Sequence, residues 1–173
     1  LFRSDKNKEI TRVKTMTDLL KILENDARLS PETIALMLDK EVGDIKKMID
    51  EYEREGVILG YRTEIDWDKT DREYVSAMIE LKITPQRDRG YDHVAQKIYN
   101  YPEVESLFLM SGSFDLAVFI KGKTMREVAF FVAEKLATIE DVISTSTHFV
   151  LRKYKDNNIV YGSVPVDERG NEF

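Results

Sequence analysis

The spacing of apolar residues changes once along this chain, and that change is the strongest constraint on its fold. Between residues 17 and 55, apolar side chains recur every three or four residues, as along one face of an α-helix. From Val75 to Ile83 they alternate with polar residues, as in a β-strand that buries one face. The change predicts a helical N-terminal part followed by a sheet-containing C-terminal part.

The N-terminal part contains signals for three short helices. The first follows the leucines within residues 17–23. The second begins at Ser30, Pro31 and Glu32, because serine is a favoured N-cap, proline suits the first helical position and an acid suits the first turn. The third has apolar residues at the spacing i, i+3, i+4, i+7 within residues 45–52.

A short apolar stretch follows the third helix, and residues 57–66 predict a pair of strands. Three helices and a strand pair are the layout of a winged helix-turn-helix, which we assign to residues 16–66. Residues 1–15 predict a flexible leader, and Met16 is a second possible start of the protein. This leader carries five basic and two acidic residues, so the alternative that it is an arm that contacts DNA stays open.

The C-terminal part predicts a second domain over residues 73–155, after a polar linker at 67–72. Its signals follow the order strand, helix, strand, strand, helix, strand, with a hairpin turn at Gly112 and Ser113. This is the βαββαβ order of a ferredoxin-like fold, so the fold class is α+β. Residues 156–173 have few large apolar side chains and predict a C-terminal tail.

The central hairpin of this domain, residues 104–121, is apolar at both alternations of its strands. Helices can cover only one face of a sheet with this order. The other face therefore needs a different cover, and a second copy of the chain is the simplest one. We expect a homodimer at least.

Composition excludes several classes of function. The chain has no cysteine, which excludes disulfides, thiol catalysis and thiolate metal sites. Only two histidines are present, and no nucleophile elbow, phosphate-binding loop or dinucleotide fingerprint appears. No apolar stretch is long enough to span a membrane. We expect a cytoplasmic protein that is not an enzyme and has no metal, no cofactor and no catalytic residue.

Four stretches of the sequence, in the same order and spacing, resemble the Lrp/AsnC (feast/famine) family. They are ILENDARLSPETIALML at 22–38, GVILGYRTEID at 56–66, YPEVESLFLMSGSFDLAVFI at 101–120 and STSTHFVL at 144–151. The resemblance implies a winged helix-turn-helix that binds double-stranded DNA and a C-terminal RAM-type domain that senses an effector. It also implies dimers, commonly assembled into octamers, with a small molecule, typically an amino acid, bound between subunits.

The resemblance assigns DNA contacts to Lys46 and Lys47 of the third helix and to Arg62 in the wing. The alternative for each is a solvated surface cation. This chain departs from the family pattern where Glu41 replaces the expected serine cap and where Asp44 lies in the exposed first turn. Carboxylates repel phosphate, so the sequence leaves open that DNA binding is weak, salt-sensitive or degenerate.

The resemblance assigns effector binding to the hairpin turn and the last strand. A carboxylate at Asp115 can bind an ammonium group, and hydroxyl groups can bind a carboxylate. The alternatives are a turn-stabilising aspartate that bonds nearby amides and ordinary polar residues of a strand or turn. The candidate residues are Ser111, Gly112, Ser113, Asp115, Thr145 and Thr147.

Two other functions compete with a regulator that binds DNA. Residues 16–60 carry eleven acidic and six basic residues, which favours a ligand-binding oligomer that has weak or lost DNA binding and acts through a protein partner. Siroheme decarboxylases share the two-module architecture. Their wing usually has paired arginines after Gly-Val-Ile, whereas this chain has Leu59-Gly60-Tyr61 there, which resembles the regulators.

Overall fold

The computed structural model describes residues 17–72, 74–85 and 90–162. The chain divides into two compact units between Thr63 and Glu64. The predicted boundary was residue 66; Glu64 belongs to the second unit because its carboxylate accepts hydrogen bonds from residues near the C-terminus. The predicted leader, residues 1–15, lies outside the described residues.

The first unit is helical. Its helices are α1, described over residues 17–25, α2 at Pro31–Leu38 and α3 at Val42–Arg54. The predicted cap of α2 is confirmed: Ser30 accepts a hydrogen bond from the Thr33 amide at 3.2 Å. The shared core consists of Leu19, Leu23, Ile34, Ala35, Ile45 and Tyr52.

The strand pair predicted over residues 57–66 does not form within the described part of the chain. The carbonyl of Tyr52 accepts hydrogen bonds from the amides of Val57 at 2.8 Å and Ile58 at 3.1 Å, so the segment leaves α3 through a turn. Beyond it, Leu59 is 93% exposed. A lone two-stranded ribbon that buries so little apolar surface is marginal in water, which accounts for its absence.

The second unit confirms the βαββαβ order. The elements are β1 (Val75–Ile83), α4 (Asp92–Tyr99), β2 (Val104–Leu109), β3 (Leu116–Gly122), α5 (Met125–Phe131) and β4 (Val142–Phe149). The four strands form one antiparallel sheet in the order β2-β3-β1-β4. After α5, Val132–Leu136 continue as a π-helical turn that carries two more side chains into the core.

Local signals explain the start of α5. Thr124 accepts a hydrogen bond from the Glu127 amide at 3.1 Å, and the Glu127 carboxylate accepts one from the Lys123 amide. These two bonds form a capping box, with the amide of Lys123 in place of that of the cap residue as the second donor.

The helices cover one face of the sheet. The core on that side contains Ile79 and Leu81 of β1, Val118 of β3, Ile98 of α4 and Val128 of α5. The side chains on the opposite face, which we call the open face, are not covered by these helices. The open face carries Met78, Glu80, Phe108, Phe119, Ser146 and His148.

The segment predicted as a C-terminal tail contains a short hairpin within its described part. Lys155–Asp156 form β5 and Ile159–Val160 form β6. Asn157 and Asn158 between them have φ values of 43° and 65°, as in the type I′ turns that connect tight hairpins.

Candidate DNA-binding and effector-binding sites

The second helix of the helix-turn-helix, α3, presents a mixed surface of charges. Ile45 is fully buried and Tyr52 is 7% exposed, and these two side chains fix which side of α3 faces the core. Lys46 and Lys47 are consequently exposed. Glu41 caps the helix through its backbone alone, with no side-chain hydrogen bond to the first turn.

The side chain of Lys46 extends from α3 towards α2. Its ammonium nitrogen is 3.5 Å from a carboxylate oxygen of Glu32, and both side chains are more than half exposed. The pKa of Glu32 is lowered by a hydrogen bond with its own backbone amide, by one with Ser30 and by the charge of Lys46. Exposed ion pairs of this kind are weak, so Lys46 can exchange Glu32 for another anion at little cost.

Arg62 lies in the exposed segment that follows α3, near the end of the first unit. The predicted wing strands are absent from the described residues, so no sheet holds this side chain in position. The structure therefore brings Lys46 and Lys47 together on one helix and leaves Arg62 on an irregular segment.

The hairpin turn between β2 and β3 holds the first predicted effector residues. Ser111, Gly112 and Ser113 are exposed at its tip. Gly112 has a φ of 149°, a conformation that favours glycine. The turn is closed by the amide of Met110, which donates to the carbonyl of Asp115 at 2.8 Å.

Asp115 binds the protein's own groups through both carboxylate oxygens. One oxygen accepts from the amide of Ile83 at 2.8 Å and the other from the hydroxyl of Tyr91 at 3.2 Å. The pKa of Tyr91 is raised, first by desolvation and then by this hydrogen bond. Asp115 thus links the hairpin to the end of β1 and the start of α4. This is the turn-stabilising role that the alternative to effector binding predicts, but the amide that Asp115 binds belongs to Ile83, 32 residues away in the sequence.

The hydroxyl groups of β4 divide between the two faces of the sheet. Thr145 pairs with Leu81 and Thr147 with Ile79, so both threonines face the helix-covered side and are half buried. Leu81 also bonds to the Asp115 amide through its carbonyl, at 2.9 Å. The structure therefore places Asp115 and Thr145 on either side of Leu81, with Thr147 one step further along the sheet.

We predict that Asp115→Ala lowers the free energy of unfolding by about 1–3 kcal/mol, because two donors lose their acceptor. Asp115→Asn keeps one carbonyl oxygen and should cost less. Thermal or urea unfolding without any effector measures the difference, with the exposed Ser113→Ala as the control. If Asp115→Ala unfolds like the unsubstituted chain, the structural role is refuted and a purely ligand-binding role is favoured.

Sequence reasoning missed a cluster around Glu64. The Tyr161 hydroxyl donates to one oxygen of its carboxylate at 2.7 Å and the Asn157 side-chain amide donates to the other at 2.9 Å. Lys153 lies 4.8 Å above the Tyr161 ring and pairs with Asp156 at 2.9 Å. Glu64 and Tyr161 are 97 residues apart, and no local pattern in the sequence indicates that they meet.

The hydrogen bond from Tyr161, followed by that from Asn157, holds the pKa of Glu64 below its usual range. A lowered pKa in the folded state stabilises the fold above the unfolded value of about 4.3, and this contribution disappears as the pH falls through the lower folded value. We expect Glu64→Gln to destabilise the chain by about 0.5–1 kcal/mol at pH 7.

That deficit of Glu64→Gln should shrink as the pH falls below the unfolded value of about 4.3 and then through the lower pKa of folded Glu64, because the carboxylate becomes protonated over this range. Thermal unfolding between pH 3 and 7 tests this, with the exposed Glu140→Gln as control. A deficit that stays constant over this range contradicts the proposed charge dependence.

His93 and Asp141 form a further pair, with the His93 Nε2 atom 2.6 Å from a carboxylate oxygen of Asp141. Among the described residues, no group of three or more histidine, aspartate or glutamate side chains is arranged to hold a metal ion. In the same part of the chain, no helix is long and apolar enough to cross a membrane.

Comparison with known proteins identifies the fold. The family model "Lrp/AsnC ligand binding domain" matches residues 76–160. The structure of AsnC from E. coli superposes with a TM-score of 0.63 at 18% identity, covering 81% of this chain and 92% of that one. An L-methionine complex of a transcriptional regulator from Neisseria meningitidis gives 0.68 at 21% identity, covering 83% and 92%.

Sequence comparison extends the match over nearly the whole chain. The HTH-type transcriptional regulator YugG of Bacillus subtilis is 47% identical over 154 residues, which cover 88% of this chain and 93% of YugG. The proline dehydrogenase transcriptional activator of Rhizobium radiobacter is 26% identical over 149 residues, covering 82% and 90%. These relatives are transcriptional regulators and not enzymes, and the chain belongs to the Lrp/AsnC family.

Proposed function

We propose that this protein is a sequence-specific DNA-binding regulator of transcription, controlled by an amino acid bound between its subunits in the cytoplasm. The observation that carries the proposal is the helix-turn-helix of α2 and α3, in which burial of Ile45 and Tyr52 leaves Lys46 and Lys47 exposed on α3. A second helix of this kind enters the major groove of DNA, and lysines attract the phosphates.

The proposed dimer forms through the open face of the sheet. Phe108 is 53% exposed there and packs edge-to-face against Phe119, with ring centroids 5.9 Å apart. Glu80 and His148 lie beside them, 3.3 Å apart. Aromatic side chains flanked by polar ones are typical of the core and rim of protein interfaces, which favours a second copy of this sheet as the cover. Octamers are the assembly that the family resemblance implies.

The proposed effector site lies at the hairpin turn and the adjacent end of β4, in a contact between subunits. Ser111 and Ser113 offer exposed hydroxyl groups, and the Gly112 backbone leaves room for a ligand to approach. Thr145 and Thr147 supply further hydroxyl groups, and Asp115 positions the turn in addition to any bond that it makes to an ammonium group. The amino-acid class is supported by the L-methionine complex of the Neisseria meningitidis relative.

Regulation in this proposal depends on a difference between two states. An amino acid bound between subunits shifts DNA binding only if it binds more tightly to one assembly than to another. The effector must therefore have different affinities for the DNA-bound and the free assemblies.

An alternative function retains effector binding but does not involve DNA. Asp44 and Asp50 share the exposed surface of α3 with the two lysines, and residues 16–60 carry almost twice as many acidic as basic residues. That charge favours a ligand-binding oligomer that acts through a protein partner with a basic surface.

Titration of the full chain against DNA from its own upstream region tests the proposal. The titration is made at about 50 and 150 mM salt, with and without a mixture of amino acids. Saturable binding that weakens with salt and changes with one amino acid supports the regulator. If no binding appears at either salt concentration, the regulator is refuted and the oligomer with a protein partner is favoured.

A further inference from the structure

The second unit contains a cavity that no assigned role explains. It has a volume of about 120 Å³ and lies between the Trp67–Lys69 turn, the start of β1 and the chain that follows β4. Ser76 of β1 contributes to its lining. Leu81, next to the proposed effector residues, lies five residues further along the strand, or about 17 Å away. The cavity is thus distinct from the proposed effector site.

Four charged side chains line this cavity, and two of them are already paired. Asp66 is 3.2 Å from the ammonium group of Lys69, and Lys153 is 2.9 Å from a carboxylate oxygen of Asp156. These two charges are therefore balanced by residues of the protein itself.

The other two charges of the lining are Asp68 and Arg152. Within the described residues, neither makes an ion pair. The Arg152 guanidinium group lies 5.0 Å from the centre of the Tyr154 ring. One carboxylate and one guanidinium group that have no ion pair in the described part of the chain, in a single cavity, match a ligand that carries both signs of charge.

The rest of the lining is largely aromatic. Trp67, Tyr74 and Tyr161 supply aromatic walls, and Tyr161 is held in place by its hydrogen bond to Glu64. A cavity of about 120 Å³ accommodates a molecule of a few heavy atoms.

We propose that this cavity is a second ligand site, which binds a small zwitterion through Arg152 and Asp68. The guanidinium group of Arg152 binds the carboxylate of the ligand, since its fork of donors matches that anion. Asp68 binds the ammonium group beside the aromatic walls of the cavity. A bound ligand connects the Trp67–Lys69 turn, just after the boundary between the units, with the chain that follows β4.

The chain has a single tryptophan, Trp67, and it lines this cavity, so its fluorescence reports binding directly. We would titrate the full chain, without DNA, with L-alanine, and in parallel with sodium acetate and ethylammonium chloride. The expected result is a saturable change in Trp67 emission with L-alanine, and at least about tenfold weaker responses to acetate and to ethylammonium, which each lack one charge.

Variants test the two charges separately. Asp68→Asn and Arg152→Gln should each raise the half-saturating concentration of L-alanine at least about tenfold. Asp68→Glu, which retains the charge, should bind more tightly than Asp68→Asn. Asp92→Asn and Lys97→Gln, at exposed positions of α4, are the matched controls and should change nothing. Far-UV circular dichroism verifies that each variant is folded.

The proposal is overturned if L-alanine causes no saturable change, if acetate or ethylammonium binds as tightly, or if Asp68→Asn and Arg152→Gln bind like the controls. Its failure is distinguishable from that of the proposed function, because the titration involves no DNA. A Ser113→Ala variant, altered at the proposed effector turn, should retain the Trp67 response.

Discussion

Phe108→Glu is expected to convert the proposed dimer into a monomer. Phe108 lies on the open face, 53% exposed, where a second sheet would bury it against Phe119. A carboxylate buried there without a partner costs several kcal/mol, and each ~1.4 kcal/mol weakens association tenfold. We expect the dissociation constant to rise by at least about 100-fold. Sedimentation equilibrium or light scattering at micromolar concentration measures it.

Phe130→Glu is the matched control, because Phe130 is 48% exposed and lies on α5, on the helix-covered side of the sheet. It introduces the same charge at an aromatic residue of similar exposure and should leave the dimer intact. If both variants remain dimers with unchanged dissociation constants, the open face is not the interface. If both variants dissociate, the added negative charge weakens association wherever it lies, and the open face is not the interface.

The double substitution Lys46→Gln and Lys47→Gln is expected to weaken DNA binding roughly 10- to 100-fold at low salt. Each phosphate contact by a lysine contributes about 0.9 to the slope of log affinity against log salt, so the slope should fall by up to about two. Fluorescence anisotropy across a salt series measures both quantities. Lys97→Gln with Lys123→Gln removes the same charge from the second unit and should leave the slope unchanged.

The same experiment also tests whether the ion pair between Lys46 and Glu32 competes with the binding of DNA phosphates. Lys46 must release Glu32 to bind phosphate, so Glu32→Gln should strengthen DNA binding several-fold by removing both the competition and a repulsive charge. An unchanged slope in the double lysine variant, together with no gain from Glu32→Gln, would show that α3 does not contact the phosphates.

The elements that sequence reasoning predicted well are those with local causes. The alternation of Val75–Ile83 predicts β1 with the bounds that the structure has. The predicted N-cap Ser30 makes its expected hydrogen bond, to an amide three residues along the chain. A propensity, a cap or a period of two acts over a few residues, so one stretch of sequence is enough to reveal it.

The wing was the least successful prediction of secondary structure. Residues 57–66 have strand-like composition, yet the described residues form no strand there, because a strand needs a neighbour and the apolar side chain of Leu59 finds no cover within its unit. Whether a segment forms a strand depends on its neighbours in the fold as much as on its own residues.

The candidate sites, too, were indicated in part by the sequence and decided in part only by the folded chain. The residue types and the hairpin directed attention to Asp115, but only the folded chain shows that both of its oxygens are occupied, by Ile83 and Tyr91. Likewise, the alternation of β4 indicates that Thr145 and Thr147 share a face. The pairing with β1 decides that this face is the one covered by helices.

The sequence by itself determined the α+β class, the order of helices and strands, and the apolar character of both faces of the central hairpin, since each follows from periodicity and composition along the chain. The tertiary structure alone decided the partners of the charged groups: Glu64 with Tyr161, Lys46 with Glu32, and the joint lining of one cavity by Asp68 and Arg152. The reason is physical. Hydrogen bonds and charges act over a few ångströms in space, whereas the residues that meet in this way can be nearly a hundred positions apart in the chain.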